Sequence, residues 1–347
     1  MSAILGLQSD CESVFAGHQT FHPRFGWIKK AFEGVQQDQH IFSKEDSTVL
    51  LGVGKNMVEA IKFWGLAFKV IEKVSHAGKK KESHVAPTDL GLALFDSLAG
   101  FDPYLENPST LWILHWQSLS SPSTLPVWRI FFNEYAAIEF TGSEFLRFAD
   151  EQISGTTWKK PVAASIAKDF DCLIRMYSSK AARGRQTIDD LMDSPFRQLG
   201  LVIPSPSGPD TYRFALGEKP FLGDEVIVYA ALDYLLKTDS NSKTITTTRL
   251  TSDSGSPGRI FKVSEERINS ALENCVQTID GLDIASPAGA TQLVVDGNIH
   301  VIAHKVLGQL FKGSKSSAKR TRLSVIGLEA TTSKIDYQIP FSKGKAS

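Results

Sequence analysis

The stretch FSKEDSTVLLGVGKNMVEAIKFWGLAF, residues 42–68, constrains the fold more than any other part of the sequence. Apolar residues recur with helical spacing from Met57 to Phe68, so this run predicts an amphipathic helix that begins near Lys55. A shorter helical run precedes it, and Gly52 between the two can adopt the positive φ that ends a helix. The sequence therefore predicts two helices joined by a tight turn.

A hairpin and a further helix follow these two helices. The strand-like runs FKVIEKV and HVAPT flank the turn SHAGKKKES, which predicts a hairpin whose basic tip contains Lys79, Lys80 and Lys81. The next run, PTDLGLALFD, predicts a short helix that Thr88 can cap. Together with a preceding amphipathic helix, this layout over residues 15–101 is typical of a winged helix-turn-helix domain.

Turn-rich segments divide the rest of the chain. Residues 108–219 contain aromatic helical runs and then two strand-like runs, which predict a helical middle domain that ends in a wing-like hairpin. Residues 223–312 predict a winged-helix-like domain, with two amphipathic helices, a Ser- and Thr-rich connection over residues 238–258, and a hairpin. Residues 313–347 predict a basic, mobile tail. The expected fold class is α+β, mainly helical with small β-hairpins, in tandem winged helix-turn-helix-like domains.

The charge and cysteine content exclude several classes of protein. The 347 residues include 38 Lys plus Arg and 38 Asp plus Glu, so the net charge is zero and any surface for nucleic acid must be local. The three cysteines are widely spaced and form neither a disulfide framework nor a Cys-x-x-Cys metal site. Because there is no secretion signal and no run of about 18 apolar residues, we expect a cytoplasmic protein without a membrane contact.

The motif Gly-Val-Gly-Lys at residues 52–55 raises the question of a nucleotide site. A P-loop needs a glycine five residues before the Gly-Lys pair and a Ser or Thr directly after the lysine. Val49 and Asn56 occupy these two positions. The motif therefore does not predict a P-loop.

The same residues fit a helix-turn-helix that binds double-stranded DNA. The first turn of the second helix would meet a phosphate through its backbone amides and through Lys55. Asn56 would pair with an adenine edge, and Lys62 with a guanine edge or a phosphate. The basic hairpin tip would add salt-dependent contacts with the DNA backbone. Further candidate phosphate contacts are Arg24, Lys29, Arg259, Lys262 and Arg267. The alternative is that this helix-turn-helix packs against a protein partner.

No arrangement of residues predicts catalysis or a bound cofactor. His18 and His22 lie four residues apart, but no third ligand stands at the usual spacing, so we expect packing or a structural hydrogen bond rather than a metal site. The sequence contains no nucleophile elbow and no paired carboxylates on one helix face. We therefore expect a protein that is not an enzyme and has no cofactor.

Several stretches resemble a prokaryotic family catalogued as domain of unknown function 4007. They are FAGHQTFHPRFGWIKKAFEGV, EDSTVLLGVGKNMVEAIKFWGLAFKVIE, PTDLGLALFD, SPFRQLGLV, YRFALGEKP and SPGRIFKVSEERINSALENC. The resemblance spans residues 15–297. It implies a cytoplasmic protein encoded in anti-phage defence islands, near proteins that resemble phosphoadenosine phosphosulfate reductases and cysteine desulfurases, as in DNA phosphorothioation systems. It implies no catalytic residue.

These observations favour a non-enzymatic accessory protein that binds double-stranded DNA. Such a protein would recruit or regulate the enzymes of a defence or DNA-modification system. The alternative is a scaffold that binds a sulfur-transfer or defence enzyme without touching DNA. An oligomer is compatible with either function.

Overall fold

Helices and three small antiparallel sheets form the described part of the protein, which confirms the α+β prediction. The structure, a computed structural model, describes residues 2–75, 83–178, 194–239 and 241–312. Lys79, Lys80 and Lys81 of the predicted hairpin tip, and the predicted tail from residue 313 onward, lie outside the described residues. None of the described helices is long and apolar enough to cross a membrane.

The first group of elements contains the predicted helix pair and hairpin. Its helices are α1 (Ser2–Asp10), α2 (Trp27–Gln37), α3 (Ser47–Leu51), α4 (Lys55–Ala67) and α5 (Asp89–Phe95), and its strands are β1 (Ile71–Ser75) and β2 (Ser83–Pro87). The two strands pair antiparallel, with Ile71 opposite Pro87. Thr88 caps α5 as predicted, because its side-chain oxygen accepts a hydrogen bond from the Gly91 amide at 3.0 Å.

The second group surrounds a central helix. Its helices are α6 (Pro108–Leu119), α7 (Pro126–Arg129), α8 (Gly142–Ser154) and α9 (Ala163–Tyr177), and its strands are β3 (Glu139–Thr141), β4 (Val202–Pro204) and β5 (Thr211–Phe214). Helix α7 continues as a π-helical turn over Ile130–Glu134, and a 3₁₀ turn covers Pro195–Leu199. Every residue of α6 from Thr110 to Leu119 is buried, so this helix lies in the middle of the protein.

The third group repeats the sheet topology of the second. Its helices are α10 (Asp224–Thr238), α11 (Thr247–Ser252), α12 (Pro257–Phe261), α13 (Glu265–Val276) and α14 (Ile299–Leu310), and its strands are β6 (Thr244–Thr246), β7 (Leu282–Ala285) and β8 (Gln292–Val295). The strand orders are β3-β5-β4 and β6-β8-β7, so in each sheet the first strand pairs with the last. Thr141 and Thr246 end these first strands and cap α8 and α11.

The Ser- and Thr-rich connection over residues 238–258 includes regular elements that the sequence analysis did not predict. This stretch contains β6 and α11, which are three and six residues long, and α12, which is five residues long, begins at its end. Elements this short show no hydrophobic period, and their starts depend on local signals such as the Thr246 cap and Pro257 in the first turn of α12.

One hydrophobic core runs through all three groups. The indole of Trp64 in α4 meets Trp128 in α7 edge-on, with 5.8 Å between the ring centroids. Phe68, which follows α4, stacks on Phe196 of the second group at 4.9 Å. The predicted boundaries between domains are therefore crossed by packed aromatic side chains.

A buried carboxylate and two largely buried lysines also connect the three groups. Lys69, which follows α4, donates a hydrogen bond to the carbonyl oxygen of Ser120 at 2.8 Å. Lys237 of α10 donates to the Ser120 hydroxyl at 2.9 Å and to Asp233 Oδ2 at 2.7 Å. Trp116 of α6 donates its indole N–H to the same carboxylate oxygen at 2.7 Å. Burial lowers the pKa of both lysines, and the Asp233 carboxylate opposes this shift.

We expect Asp233→Asn to destabilise the protein by about 3–5 kcal/mol, since it leaves the buried lysines without a counter-charge. The matched control is Asp150→Asn, because Asp150 pairs with Lys160 at 2.9 Å on the surface, where the loss of one ion pair has little effect. Urea unfolding curves measure both variants. Equal losses of stability in the two variants would show that the Asp233 carboxylate does not stabilise the fold through these lysines.

Two helical glycines should respond differently to alanine. A Cβ at Gly91 in α5 would overlap the carbonyl oxygen of Val70, whereas a Cβ at Gly308 in α14 would meet nothing within 4 Å. We expect Gly91→Ala to lower the free energy of unfolding by about 1–3 kcal/mol through steric overlap. Gly308→Ala should raise it by up to about 1 kcal/mol through helix propensity. A Gly91→Ala protein as stable as the wild type in urea would contradict the close packing of α5 on Val70.

Candidate nucleic-acid interface

A glycine in the left-handed conformation makes the turn between α3 and α4. Gly52 has φ 62° and ψ 35°, and its amide donates to the carbonyl oxygen of Val49 at 3.2 Å. Lys30 donates from Nζ to the carbonyl oxygen of Leu51 at 2.7 Å, which binds one of the carbonyl groups at the end of α3. Gly54 is extended, with φ −66° and ψ 159°, and α4 begins at the next residue. The residues before Gly52 are helical, whereas a P-loop follows a strand.

The first turn of α4 is exposed and has no side-chain cap. Lys55, Asn56 and Glu59 face solvent, while Val58 on the opposite face is buried. Gly54 at the N-cap position offers no side chain to the first backbone amides. These amides and the positive end of the helix dipole therefore favour an anion, and Lys55 adds a positive charge at the same end.

Among the described residues of the first group, two other lysines were predicted as contacts, and these residues, Lys62 and Lys29, are half-buried. The Nζ of Lys62 lies 6.0 Å from the ring centroid of Phe42. The Nζ of Lys29 lies 3.5 Å from the ring centroid of Tyr104, a cation–π contact. Both lysines lie on the first group, but each packs against an aromatic ring of the protein itself.

Arg24 and Arg267 bind other parts of the chain. Arg24 is only 9% exposed, and its guanidinium carbon lies 5.3 Å from the ring centroid of Trp27. Arg267 donates from Nη1 to Asp224 Oδ1 at 2.5 Å and from Nη2 to the carbonyl oxygen of Leu222 at 2.9 Å. The structure thus places both side chains in contacts that hold the fold together.

Arg259 and Lys262 lie between the second and third groups. Arg259 donates to the carbonyl oxygens of Asn133 at 2.9 Å and Ser252 at 2.6 Å. The Nζ of Lys262 lies 4.2 Å from the ring centroid of Phe214 in β5. Neither residue is near α4 in the sequence, and both contact residues of the second group.

The turn between α12 and α13 repeats the geometry of the turn between α3 and α4. Lys262 has φ 56° and ψ 48°, close to the values of Gly52. Ser264 has φ −77° and ψ 165°, close to the values of Gly54. Within the described residues, two helix pairs are therefore joined by three-residue turns whose first and last residues have matching backbone angles.

The electrostatics of these two turns are opposite. The Oγ of Ser264 accepts a hydrogen bond from the amide of Arg267 at 3.3 Å and so caps α13. The first turn of α13 contains Glu265 and Glu266, and Glu273 is exposed farther along the helix. These carboxylates already interact favourably with the positive end of the helix dipole, and their negative charge repels a phosphate. An external anion is therefore favoured at α4 and disfavoured at α13.

His18 contacts a buried carboxylate of the second group. Its Nε2 lies 2.7 Å from Asp169 Oδ1 in α9, and the Ala16 amide donates to the same oxygen at 2.9 Å. Burial raises the pKa of Asp169, and His18 opposes this shift. Among the described residues, no group of three or more His, Cys, Asp or Glu side chains could hold a metal ion. The expected structural hydrogen bond is present, but its partner lies 151 residues away and no sequence pattern indicates it.

Two exposed apolar residues beside the turn were not found by sequence reasoning. Val49 and Leu50 of α3 are 79% and 54% exposed, while the neighbouring Leu51 is buried. In a helix of five residues, the hydrophobic pattern does not tell which apolar side chains face outward. The exposed pair adds an apolar surface next to the Gly52 turn.

Comparisons with known proteins identify related chains. The chain is similar to the structure described as "Magnesium ion-bound SspB crystal structure", with 33% identity and a TM-score of 0.82 over 92% of this chain and 95% of that chain. A second structure, "SspB crystal structure", has 33% identity and a TM-score of 0.81 over 92% of this chain and 96% of that chain. No curated protein matches the chain. The family described as "Protein of unknown function (DUF4007)" matches residues 15–311, which confirms the resemblance seen in the sequence. The chain therefore belongs to this family.

Proposed function

We propose that this protein binds double-stranded DNA through the first turn of α4. The observation that carries this function is the exposed N-terminus of α4, which has no side-chain cap and presents Lys55 and Asn56 to solvent. Backbone amides at such an end bind phosphate oxygens, and the positive charge of Lys55 strengthens that contact.

In the proposed complex, α3, α4 and the hairpin β1–β2 act as a winged helix-turn-helix domain. Helix α4 enters the major groove with its first turn foremost, which brings Asn56 to a base edge and Lys55 to a phosphate. An asparagine can donate to and accept from an adenine at the same time, so Asn56 is the residue that would read sequence.

We confine the DNA contact to the first group. Arg24 and Arg267 are held within the protein, and α13 presents carboxylates where α4 presents Lys55. The remaining candidates among the described residues of the first group are Lys62 and Lys29, whose half-buried side chains would extend to phosphates beside α4.

The accessory role is proposed from the family. The resemblance implies neighbours that are similar to phosphoadenosine phosphosulfate reductases and cysteine desulfurases, in phosphorothioation-type defence systems. We propose that the DNA-bound protein recruits or regulates such partner enzymes and performs no chemistry itself.

The second candidate function is a scaffold that binds a partner enzyme without touching DNA. The exposure of Val49 and Leu50 favours it, because an exposed apolar pair is typical of a protein contact surface. This pair lies beside the Gly52 turn, so the same part of the molecule would serve the partner instead of DNA.

We expect Lys55→Glu to weaken binding of a duplex of about 30 base pairs by about tenfold or more at low salt, since a phosphate contact becomes a repulsion. Asn56→Ala should reduce the preference between sequences more than the total affinity. Lys160→Glu is the control, because it makes the same charge change at an exposed lysine outside the first group. A salt-titrated mobility-shift assay measures all three variants.

The same assay can contradict the function in two ways. Absence of duplex binding at low salt would contradict the proposed DNA contact at α4. Equal duplex binding by Lys55→Glu and Lys160→Glu would contradict it as well. Because one similar structure is magnesium-bound, the reactions are run with and without MgCl₂ and analysed on denaturing gels. Magnesium-dependent strand cleavage would show that the protein is an enzyme.

For the scaffold, we expect the double variant Val49→Ser, Leu50→Ser to lose a sulfur-transfer partner in a pull-down while its stability stays unchanged, because both side chains are already exposed. Ile138→Ser is the control, since Ile138 is 70% exposed on the second group. Equal partner recovery with both proteins would rule out the α3 surface as the contact.

A further inference from the structure

The sheet of β1 and β2 has one edge that is covered and one that is open. On the β2 side, the Val85 amide donates to the carbonyl oxygen of Gln39 at 3.1 Å, outside the strand pair. Val85 lies opposite Lys73 of β1. Two residues that face each other in an antiparallel pair point their backbone groups either at each other or both outward. The amide and carbonyl of Lys73 therefore point away from β2.

Ile71 has the same orientation as Lys73. The Thr88 amide donates to the carbonyl oxygen of Val70 at 3.1 Å, so the neighbouring pair of Ile71 and Pro87 is one that does not exchange hydrogen bonds. The outward amides and carbonyls of Ile71 and Lys73, which we call the β1 edge, form no hydrogen bond with a described residue. A row of unpaired backbone groups of this kind is a template for one more strand.

A cleft of about 360 Å³ lies beside the β1 edge, between the first and second groups. Its apolar lining comes from Leu66, Ala67 and Ile71 of the first group and from Pro122 of the second. Side chains of a strand point alternately to its two faces. A strand added to the β1 edge would therefore place an apolar side chain in the cleft, and such pockets give specificity to strand addition.

The charged residues around the cleft favour a basic partner. Two exposed carboxylates, Glu12 and Glu72, and one exposed ammonium group, Lys73, line it. Neither carboxylate forms an ion pair with a described residue. Lys69 also lines the cleft, but its Nζ already donates to the carbonyl oxygen of Ser120 at 2.8 Å. A Lys or Arg beside the apolar side chain would balance the excess of carboxylates.

A second copy of this chain does not fit the β1 edge. Two copies paired antiparallel along the whole of β1 would place Lys73 opposite Lys73 of the other copy. Like charges directly opposite each other destabilise a strand pair. The occupant that the edge favours is therefore a segment of another protein.

We propose that the β1 edge and the cleft bind an extended segment of a partner protein as an additional strand. The backbone of this segment pairs with Ile71 and Lys73, and one of its apolar side chains enters the cleft. A Lys or Arg of the segment meets Glu12 and Glu72 at the rim.

This site is independent of the DNA contact proposed at α4. Leu66, which lines the cleft, lies about 16 Å along the helix from Lys55, at the opposite end of α4. One end of the helix thus serves the phosphate, and the other end borders the partner segment.

Peptides of about twelve residues and random sequence, displayed on phage and selected on the full chain, are the probe, since they exceed the usual strand length. We expect enriched peptides in which an apolar residue stands beside a Lys or Arg. By fluorescence anisotropy, Lys73→Pro should bind such a peptide about tenfold or more weakly than the wild type, because proline removes one outward amide and leaves the pairing with β2 intact. Lys73→Thr retains this amide and is the matched control.

Two further measurements do not depend on the folding of Lys73→Pro. Glu72→Lys changes an exposed side chain only, and it should also weaken peptide binding. Methylation of the peptide's own amides, one at a time, should weaken binding at every second residue, because alternate amides of an added strand face the β1 edge. Failure to enrich any peptide, equal binding by the wild type and Lys73→Pro, or methylation effects without this alternation would overturn the site.

Lys55→Glu should bind the peptide like the wild type, so the peptide site and the DNA contact can fail separately. Analytical ultracentrifugation tests the other occupant of the edge. We expect the wild type and Lys73→Pro to have the same oligomeric state. A dimer that Lys73→Pro abolishes would assign the β1 edge to a second copy and overturn the partner segment.

Discussion

The indole of Trp64 fixes the position of α4, and the candidate interface depends on it. Trp64 lies on the buried face of the helix and donates its N–H to the carbonyl oxygen of Phe21 at 2.9 Å. Its ring stacks on Phe68 at 5.4 Å and meets Trp128 of the second group at 5.8 Å. Because this ring is packed on several sides, α4 cannot rotate without opening the core. The face that carries Lys55 is therefore held in one orientation relative to the rest of the protein.

Sequence reasoning was accurate where local signals specify the structure. Gly52 and the helical period after it define the turn and α4, and the two strand-like runs that follow predict the paired strands β1 and β2. It failed where a contact joins distant residues, as between Lys237 and Ser120. The same difficulty affected the prediction of site residues. The position of Arg267 on an amphipathic helix does not reveal that its guanidinium pairs with Asp224.

The two matching turns show that the same backbone geometry can lead into helix ends with opposite electrostatics. Gly52 and Lys262 have nearly the same φ and ψ, yet one turn leads into an open helix end and the other into a helix end filled by a serine cap and carboxylates. The residues at the cap and in the first turn decide whether such an end attracts or repels a phosphate. Repetition of a helix-turn-helix geometry within one chain therefore does not imply repetition of its ligand.

The continuous aromatic core has a consequence for how this protein can be divided. In a fragment that ends at residue 101, Trp64 and Phe68 would lose their contacts with the second group. The ring faces that make these contacts would then be exposed to water. Apolar surface exposed in this way promotes aggregation. Truncations that search for a smaller folded piece of this chain should therefore yield insoluble fragments. The same core limits where this chain can be recombined with another, because a crossover that separates α4 from α7 also separates Trp64 from Trp128.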